Sequence, residues 1–138
     1  MSVEFMKTVY SRLTYDAGSS TNPLRTAVGD RIYAIEAPAS AALPLVVYSM
    51  DSVDTERYFG GNTMNIGSFT VTVYAAADAG ADSILDIEQL VHDILDQQDL
   101  VVAGHDRGYV TNISRGVPEL NGEVYRSDSS FQMFSHKS

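Results

Sequence analysis

The sequence predicts one α+β domain in which two helices pack on one face of a largely antiparallel sheet. Residues 66–76 alternate apolar and polar side chains, with the period of a half-buried strand. Two other segments, 3–15 and 78–97, carry apolar residues at helical spacing. Short β-branched and aromatic segments complete the order helix, strands, helix, strands, which is typical of this fold class.

The N-terminal half is predicted to contain the first helix and two strands. The apolar residues of the helix are Val3, Phe5, Met6, Val9, Tyr10 and Leu13. Residues 16–23 are rich in Gly, Ser, Asn and Pro and indicate a loop. Extended segments follow at 31–36 and 45–50, and the small-residue connection between them ends at Pro44.

A long loop is predicted over residues 54–65, because Gly60-Gly61 and many polar residues follow the strand. Its length of about twelve residues exceeds the usual two to five of a hairpin loop, and long loops are often functional. Arginine and aromatic side chains are enriched at interface hot spots. The residues that we expect to contact a partner are Arg57, Tyr58, Phe59 and Met64.

The C-terminal half is predicted to contain the second helix and three strands. Asp78 is the expected N-cap of the helix. Its apolar stripe comprises Ile84, Ile87, Val91, Ile94 and Leu95, with Leu90 at the edge. Two short strands, 100–103 and 108–115, flank a turn, and a last strand covers 123–134.

Composition sets further limits on function. The chain of 138 residues has the size of a single domain, 1–138, with ordinary globular proportions of 44% hydrophobic and 20% charged residues. Its net charge of -9 disfavours binding to nucleic acid, which needs basic clusters. The absence of cysteine excludes disulfides and thiol chemistry. We expect no signal peptide and no membrane span.

Catalytic signatures are missing from the sequence. It contains no nucleophile elbow, no phosphate-binding loop and no dinucleotide fingerprint. The best metal candidate is the set Glu88, His92 and Asp96, whose spacing of four residues stacks side chains on one helix face. Because the helix is acidic throughout, a solvated face is the favoured interpretation. Turn residues or solvated charges are also favoured for His105-Asp106 and for Asp51, Asp54 and Glu56. We therefore expect no cofactor and no enzyme activity.

The second helix carries an acidic face. Between residues 82 and 99 there is no Lys or Arg, although surface helices usually mix charges of both signs. The carboxylates opposite the apolar stripe are Asp82, Asp86, Asp93 and Asp96. The favoured interpretation is a face that keeps the protein soluble. The alternative is a negative surface that repels something anionic.

Five segments form one pattern through their order and spacing. They are Gly29-Asp-Arg-Ile-Tyr33, Ala37-Pro38, Ala42-Leu-Pro-Leu-Val-Val-Tyr48, Phe69-Thr-Val-Thr-Val-Tyr-Ala75 and Tyr125-Arg126 through Phe134. The pattern resembles the tail-completion or tail-terminator proteins of long-tailed phages, and it covers the chain from about Val3 to Phe134. The sequence departs from it at Leu45, where an aromatic is common, and at Gly67-Ser68, where a basic residue is frequent.

The resemblance implies a structural virion protein. Its subunits would assemble into a ring, typically of about six copies, at the head-proximal end of the tail. The ring would end growth of the tube and present a surface for the head. Implied partners are further copies, the tail tube protein and the head-tail connector. DNA would pass through the lumen without specific binding, and assembly would occur in the host cytoplasm.

Three other functions stay open on the sequence. A neck adaptor between head and tail would share the fold. A small metal-dependent enzyme would use the Glu88, His92 and Asp96 face. A ligand-binding domain of similar architecture is the third.

Overall fold

A computed structural model describes residues 2–14, 22–57, 63–100 and 107–137. The helices are α1 (Ser2–Leu13), α2 (Pro23–Val28) and α3 (Ala81–Leu95), and a 3₁₀ turn at Ala77–Ala79 precedes α3. The strands are β1 (Ile32–Ala34), β2 (Leu45–Arg57), β3 (Thr63–Ala76), β4 (Gln98–Leu100), β5 (Arg107–Ser114), β6 (Glu119–Asn121) and β7 (Val124–Lys137).

The strands form one sheet in the order β1-β2-β3-β7-β5-β4, with β6 beside β7. Among the described strands only β1 and β2 pair in parallel. β5 pairs with residues 130–136 of β7, and β6 pairs with residues 124–126. Because β3 occupies the other edge of β7, β5 and β6 lie one after the other along the same edge. The predicted α+β class and antiparallel character are confirmed.

The helices bury their apolar stripes against one face of this sheet. Buried side chains from the helices are Phe5, Val9, Leu13, Leu24, Val28, Ile84, Ile87, Val91 and Leu95. The sheet contributes Phe69 and Phe131, whose stacked rings have centroids 5.4 Å apart. A Cβ atom at Gly67 would lie 2.6 Å from the Phe5 ring, so glycine allows α1 to approach β3 closely. The stripe predicted for the second helix is confirmed.

A third helix, α2, lies where the sequence predicted only a loop and the approach to a strand. Pro23 begins α2, and the Asn22 side chain accepts a hydrogen bond of 2.8 Å from the Leu24 amide. Gly29 ends the helix in a left-handed conformation with φ 58°. Asn, Pro and Gly at these positions are ordinary helix-boundary signals. The helix is short, so its hydrophobic period was too brief to recognise.

The predicted loop over 54–65 is wrong at both of its ends. β2 continues to Arg57 and β3 begins at Thr63, with Asp54 opposite Ile66 and Arg57 opposite Thr63. The two strands form a long hairpin, and residues 58–62 lie outside the described part of the chain. Thr55 donates a hydrogen bond of 2.7 Å to the buried side chain of Asn65. Cross-strand pairing therefore gives these polar residues a strand conformation.

Other boundaries also shift. α3 begins at Ala81, and Gly80 rather than Asp78 occupies its N-cap. β4 covers 98–100, so strand begins two residues before the segment predicted at 100–103, and residues 101–106, including His105-Asp106, lie outside the described residues. β6 was not predicted. None of the helices in the described residues combines the length and the apolar character needed to cross a membrane.

Candidate assembly surfaces

Three of the four predicted acidic residues form an exposed face on α3. Asp82, Asp86 and Asp93 are exposed, and the Gln89 side chain donates a hydrogen bond of 2.7 Å to Asp93. Asp96 does not belong to this face, because it lies at the C-cap of α3. One of its carboxylate oxygens accepts a hydrogen bond of 2.7 Å from the Asn112 amide on β5. The predicted four-residue face therefore reduces to three residues.

The metal candidate Glu88, His92 and Asp96 is not assembled. Glu88 is only 3% exposed, and it accepts a hydrogen bond of 2.6 Å from the Ser127 hydroxyl on β7. Nε2 of His92 instead lies 3.4 Å from Asp96. Within the described ranges no three His, Asp or Glu side chains are placed to share a metal ion. The structure therefore does not bring Glu88 together with His92 and Asp96.

Glu88 instead holds the connection between β5 and β6. Nε of Arg115 lies 3.6 Å from Oε1 of Glu88, whereas the Ser127 hydroxyl donates to the other carboxylate oxygen, Oε2. The next residue, Gly116, lies so close to β7 that an added Cβ would clash with the Asp128 carbonyl oxygen. We call residues 115–118 the anchored segment. It ends in Val117 and Pro118, and Val117 is 79% exposed.

The opposite edge of the sheet carries a second exposed aliphatic side chain. Ile35 follows β1 and is 72% exposed. Its φ is 71°, and the Glu36 amide donates to the Ala34 carbonyl over 2.8 Å, which makes Ile35 the centre of a γ-turn. A β-branched residue at positive φ is strained, and such strain is concentrated at functional positions. The Ile35 amide donates to the Tyr48 carbonyl over 2.8 Å and ties the turn to β2.

A groove of about 540 Å³ lies on the sheet face opposite the helices, between residues 35–45 and the β6-β7 turn. Its lining includes Leu45, Val47, Tyr74 and Val124 as well as Arg126. The guanidinium of Arg126 lies 5.8 Å from the Tyr74 ring centroid. Hydrogen bonding and charge attraction to Asp128 raise the pKa of Arg126, so this group is a permanent cation.

The predicted interface residues of the β2-β3 hairpin are only partly described. Arg57 is the last residue of β2. Met64 is half-buried on β3, where it lies opposite Glu56 and His136. Tyr58 and Phe59 lie outside the described residues. Ile35 and Val117 are not predicted from the sequence, since isolated aliphatic residues in irregular segments give no periodic signal.

Two solved structures share the α+β fold of this chain. One match, titled "Virion of native gene transfer agent (GTA) particle", has a TM-score of 0.73 and 22% identity, and covers 94% of this chain and 92% of that one. A second solved structure has a TM-score of 0.65 and 12% identity, with coverage of 98% and 96%. Identities this low show a shared fold. Among curated proteins no sequence matches the chain.

The family is shown by sequence. The family described as "Tail completion protein gp17" matches residues 9–134, which is most of the chain. The chain therefore belongs to the tail completion protein gp17 family, and its role is that of a structural protein of a phage-type tail. The resemblance identified from the sequence is confirmed.

Replacing Glu88 tests its structural role. We expect Glu88→Ala to lower the free energy of unfolding by about 1–3 kcal/mol, because Ser127 and Arg115 lose their buried acceptor. Asp86→Ala, on the exposed side of the same helix, is the matched control and should change stability by less than about 0.5 kcal/mol. Urea denaturation followed by circular dichroism measures both. Equal stabilities for the two variants would contradict the role of Glu88.

Proposed function

We propose that the protein forms a ring that caps the head-proximal end of the tail tube, ends tube growth and presents the surface for head attachment. The family match over residues 9–134 is the observation that carries this proposal. Two features support assembly from identical copies. The protein exposes aliphatic side chains at Ile35 and Val117, and these lie at opposite edges of its sheet. Surfaces on opposite sides of a subunit suit head-to-tail contacts, which close into rings.

The proposed partners follow from the position of the ring. One side of the ring contacts the tail tube protein, and the other contacts the connector of the head. DNA passes through the lumen during ejection without being bound specifically, in keeping with the net charge of -9. The ring contains about six copies and becomes part of the virion after assembly in the host cytoplasm.

Native mass spectrometry tests the ring. Purified protein, alone and with tail tube protein, should give a closed species of about six copies, each of 15.0 kDa. A complete series of open oligomers without a dominant closed species would indicate a filament. A strict monomer under both conditions would contradict the ring and leave the family assignment intact.

We also propose that the tip of the β2-β3 hairpin docks onto a neighbouring virion protein. β2 and β3 pair as far as Arg57 with Thr63, at the end of the sheet where β3 also pairs with the last residues of β7. Arginine and aromatic residues are suited to an interface. The contact residues are Arg57, Tyr58 and Phe59, with Met64 beside them on β3.

A triple change of Arg57, Tyr58 and Phe59 to Ala should keep the fold and impair assembly. The core of the described part of the chain is formed by other residues, so circular dichroism and melting temperature should match the wild type. Electron microscopy of virions assembled with the variant should show overlong tails or tails without heads. The matched control is Thr55→Ala with Asn65→Ala, which weakens the same hairpin below the tip. Normal particles from the triple variant would remove the tip from the function.

The exposed acidic face of α3 is proposed to line or border the DNA path. Asp82, Asp86 and Asp93 from every subunit would together create a negative field of several kT at close range. Such a field extends about 8 Å at physiological ionic strength, which covers DNA in a narrow channel. Its effect would be to keep passing DNA from adhering to the ring.

Neutralising the acidic face tests this role. Changing Asp82, Asp86 and Asp93 to Asn should leave tail assembly normal and slow DNA ejection, because DNA then adheres to the channel. Asp96 stays unchanged because it accepts a hydrogen bond from the Asn112 amide. Asp51 and Asp54 changed to Asn form the control, since they remove charge from β2 instead. Unchanged ejection kinetics would show that the face serves solubility alone.

A further inference from the structure

We propose that Ile35 of one copy packs against Val117 of the next, and that this head-to-tail contact closes the ring. The inference rests on the proposed ring and goes beyond it, because it names the two surfaces that meet. The first surface is the γ-turn at Ile35 beside β1. The second is the anchored segment, 115–118, beside β7.

The two surfaces lie at opposite ends of the same cross-strand rows. Ala34 pairs with Tyr48, Tyr48 with Val71, and Val71 with Ser129. Ile35 follows Ala34 at one end of this row. At the other end, the Gly116 backbone lies against Asp128, the neighbour of Ser129 on β7. The two surfaces thus lie within a few residues of one row, on opposite sides of the sheet, where identical subunits can form head-to-tail contacts.

The chemistry of the two surfaces also matches. Ile35 and Val117 are aliphatic and are the two most exposed large hydrophobic side chains in the described residues, at 72% and 79%. Burying them against each other removes both from water. The flanking charges have opposite signs, since Glu36 follows Ile35 and Arg115 precedes Val117 by two residues. Glu119, on the far side of Val117, lies opposite Arg126 within the same subunit.

Each surface is held in place before contact. The Ile35 turn is tied to β2 by the hydrogen bond of 2.8 Å to the Tyr48 carbonyl. The anchored segment is held by the Arg115 to Glu88 ion pair and by the close packing of Gly116 on Asp128. Rigid surfaces lose little conformational entropy on association. Placing exposed aliphatic side chains on such fixed backbone indicates a contact surface.

The occupant is a second copy, as the proposed ring requires, and the charges beside the two surfaces favour a mixed contact over a symmetric one. Two copies, each with a net charge of -9, repel each other at long range, so the contact between them needs a surface without facing like charges. Pairing Ile35 with Ile35 of a second copy would bring two Glu36 carboxylates together. Pairing Ile35 with Val117 brings Glu36 toward Arg115 instead. The mixed contact is also the one that continues around a ring, whereas the symmetric one stops at a dimer.

Disulfide trapping tests the contact, since the chain contains no cysteine. The double variant Ile35→Cys with Val117→Cys is oxidised and run on a non-reducing gel. We expect a ladder of covalent oligomers that ends at the size of the closed ring. The two positions are roughly 19 Å apart across four strand spacings, too far for a bond within one subunit. Mixing the two single variants should give only heterodimers.

The control is Leu85→Cys with Val117→Cys, because Leu85 is 43% exposed on α3, away from the proposed contact. It should give no ladder. A ladder of equal yield from this control would overturn the proposal, as would dimers of Ile35→Cys alone. If native mass spectrometry shows a wild-type ring but the double variant gives no ladder, this contact is wrong and the ring stands. Absence of both ring and ladder would overturn both proposals.

Discussion

The pairing of β3 with β7 is the interaction on which the rest of the structure depends. Each of these strands has 14 residues, and they pair from Thr63 with Lys137 to Ala76 with Val124 without a register shift. Their inner face carries Phe69 and Phe131, which form the centre of the core. The other strands pair with β3 or β7 directly or through a neighbouring strand. The register between β3 and β7 therefore sets how residues at the two sheet edges are offset along the strand direction.

A buried carboxylate connects the helical layer to one of those edges. Glu88 lies on α3, but its partners are Ser127 on β7 and Arg115 in the anchored segment. A buried charge is tolerated only when it is hydrogen-bonded or paired. The ion pair and the hydrogen bond together hold α3, β7 and the anchored segment in one arrangement. Asp96 acts similarly at the other end of α3, where it accepts from the Asn112 amide of β5.

The exposed surface divides between acidic and aliphatic parts. Asp82, Asp86 and Asp93 of α3 lie on the exposed side of the helix. Ile35 and Val117 lie at the two sheet edges, on backbone that is strained at one position and tightly packed at the other. In the proposed ring each subunit contacts copies of itself and other virion proteins while DNA passes through the lumen. Because the aliphatic and acidic residues lie on separate surfaces, one subunit can contact its neighbours at the sheet edges and repel DNA at the acidic face.

Local sequence patterns predict the α+β class, the central strand at 66–76, the buried stripe of α3 and the family. Each of these follows from local periodicity or from the order of short motifs, which are visible along the chain. The roles of Glu88 and Asp96 depend on tertiary contacts. Ser127 lies 39 residues from Glu88 and Asn112 lies 16 from Asp96, so helical spacing alone placed both carboxylates on a solvated face.

The long hairpin was likewise decided by tertiary pairing. Residues 54–57 have a polar, loop-like composition, and they become strand because β3 supplies hydrogen-bonding partners along their length. Ile35 and Val117 carry no periodic signal at all. Their alignment at opposite ends of one row depends on the registers of β1, β2, β3 and β7 together. This alignment exists only in the assembled sheet, because no single segment of the chain includes both residues.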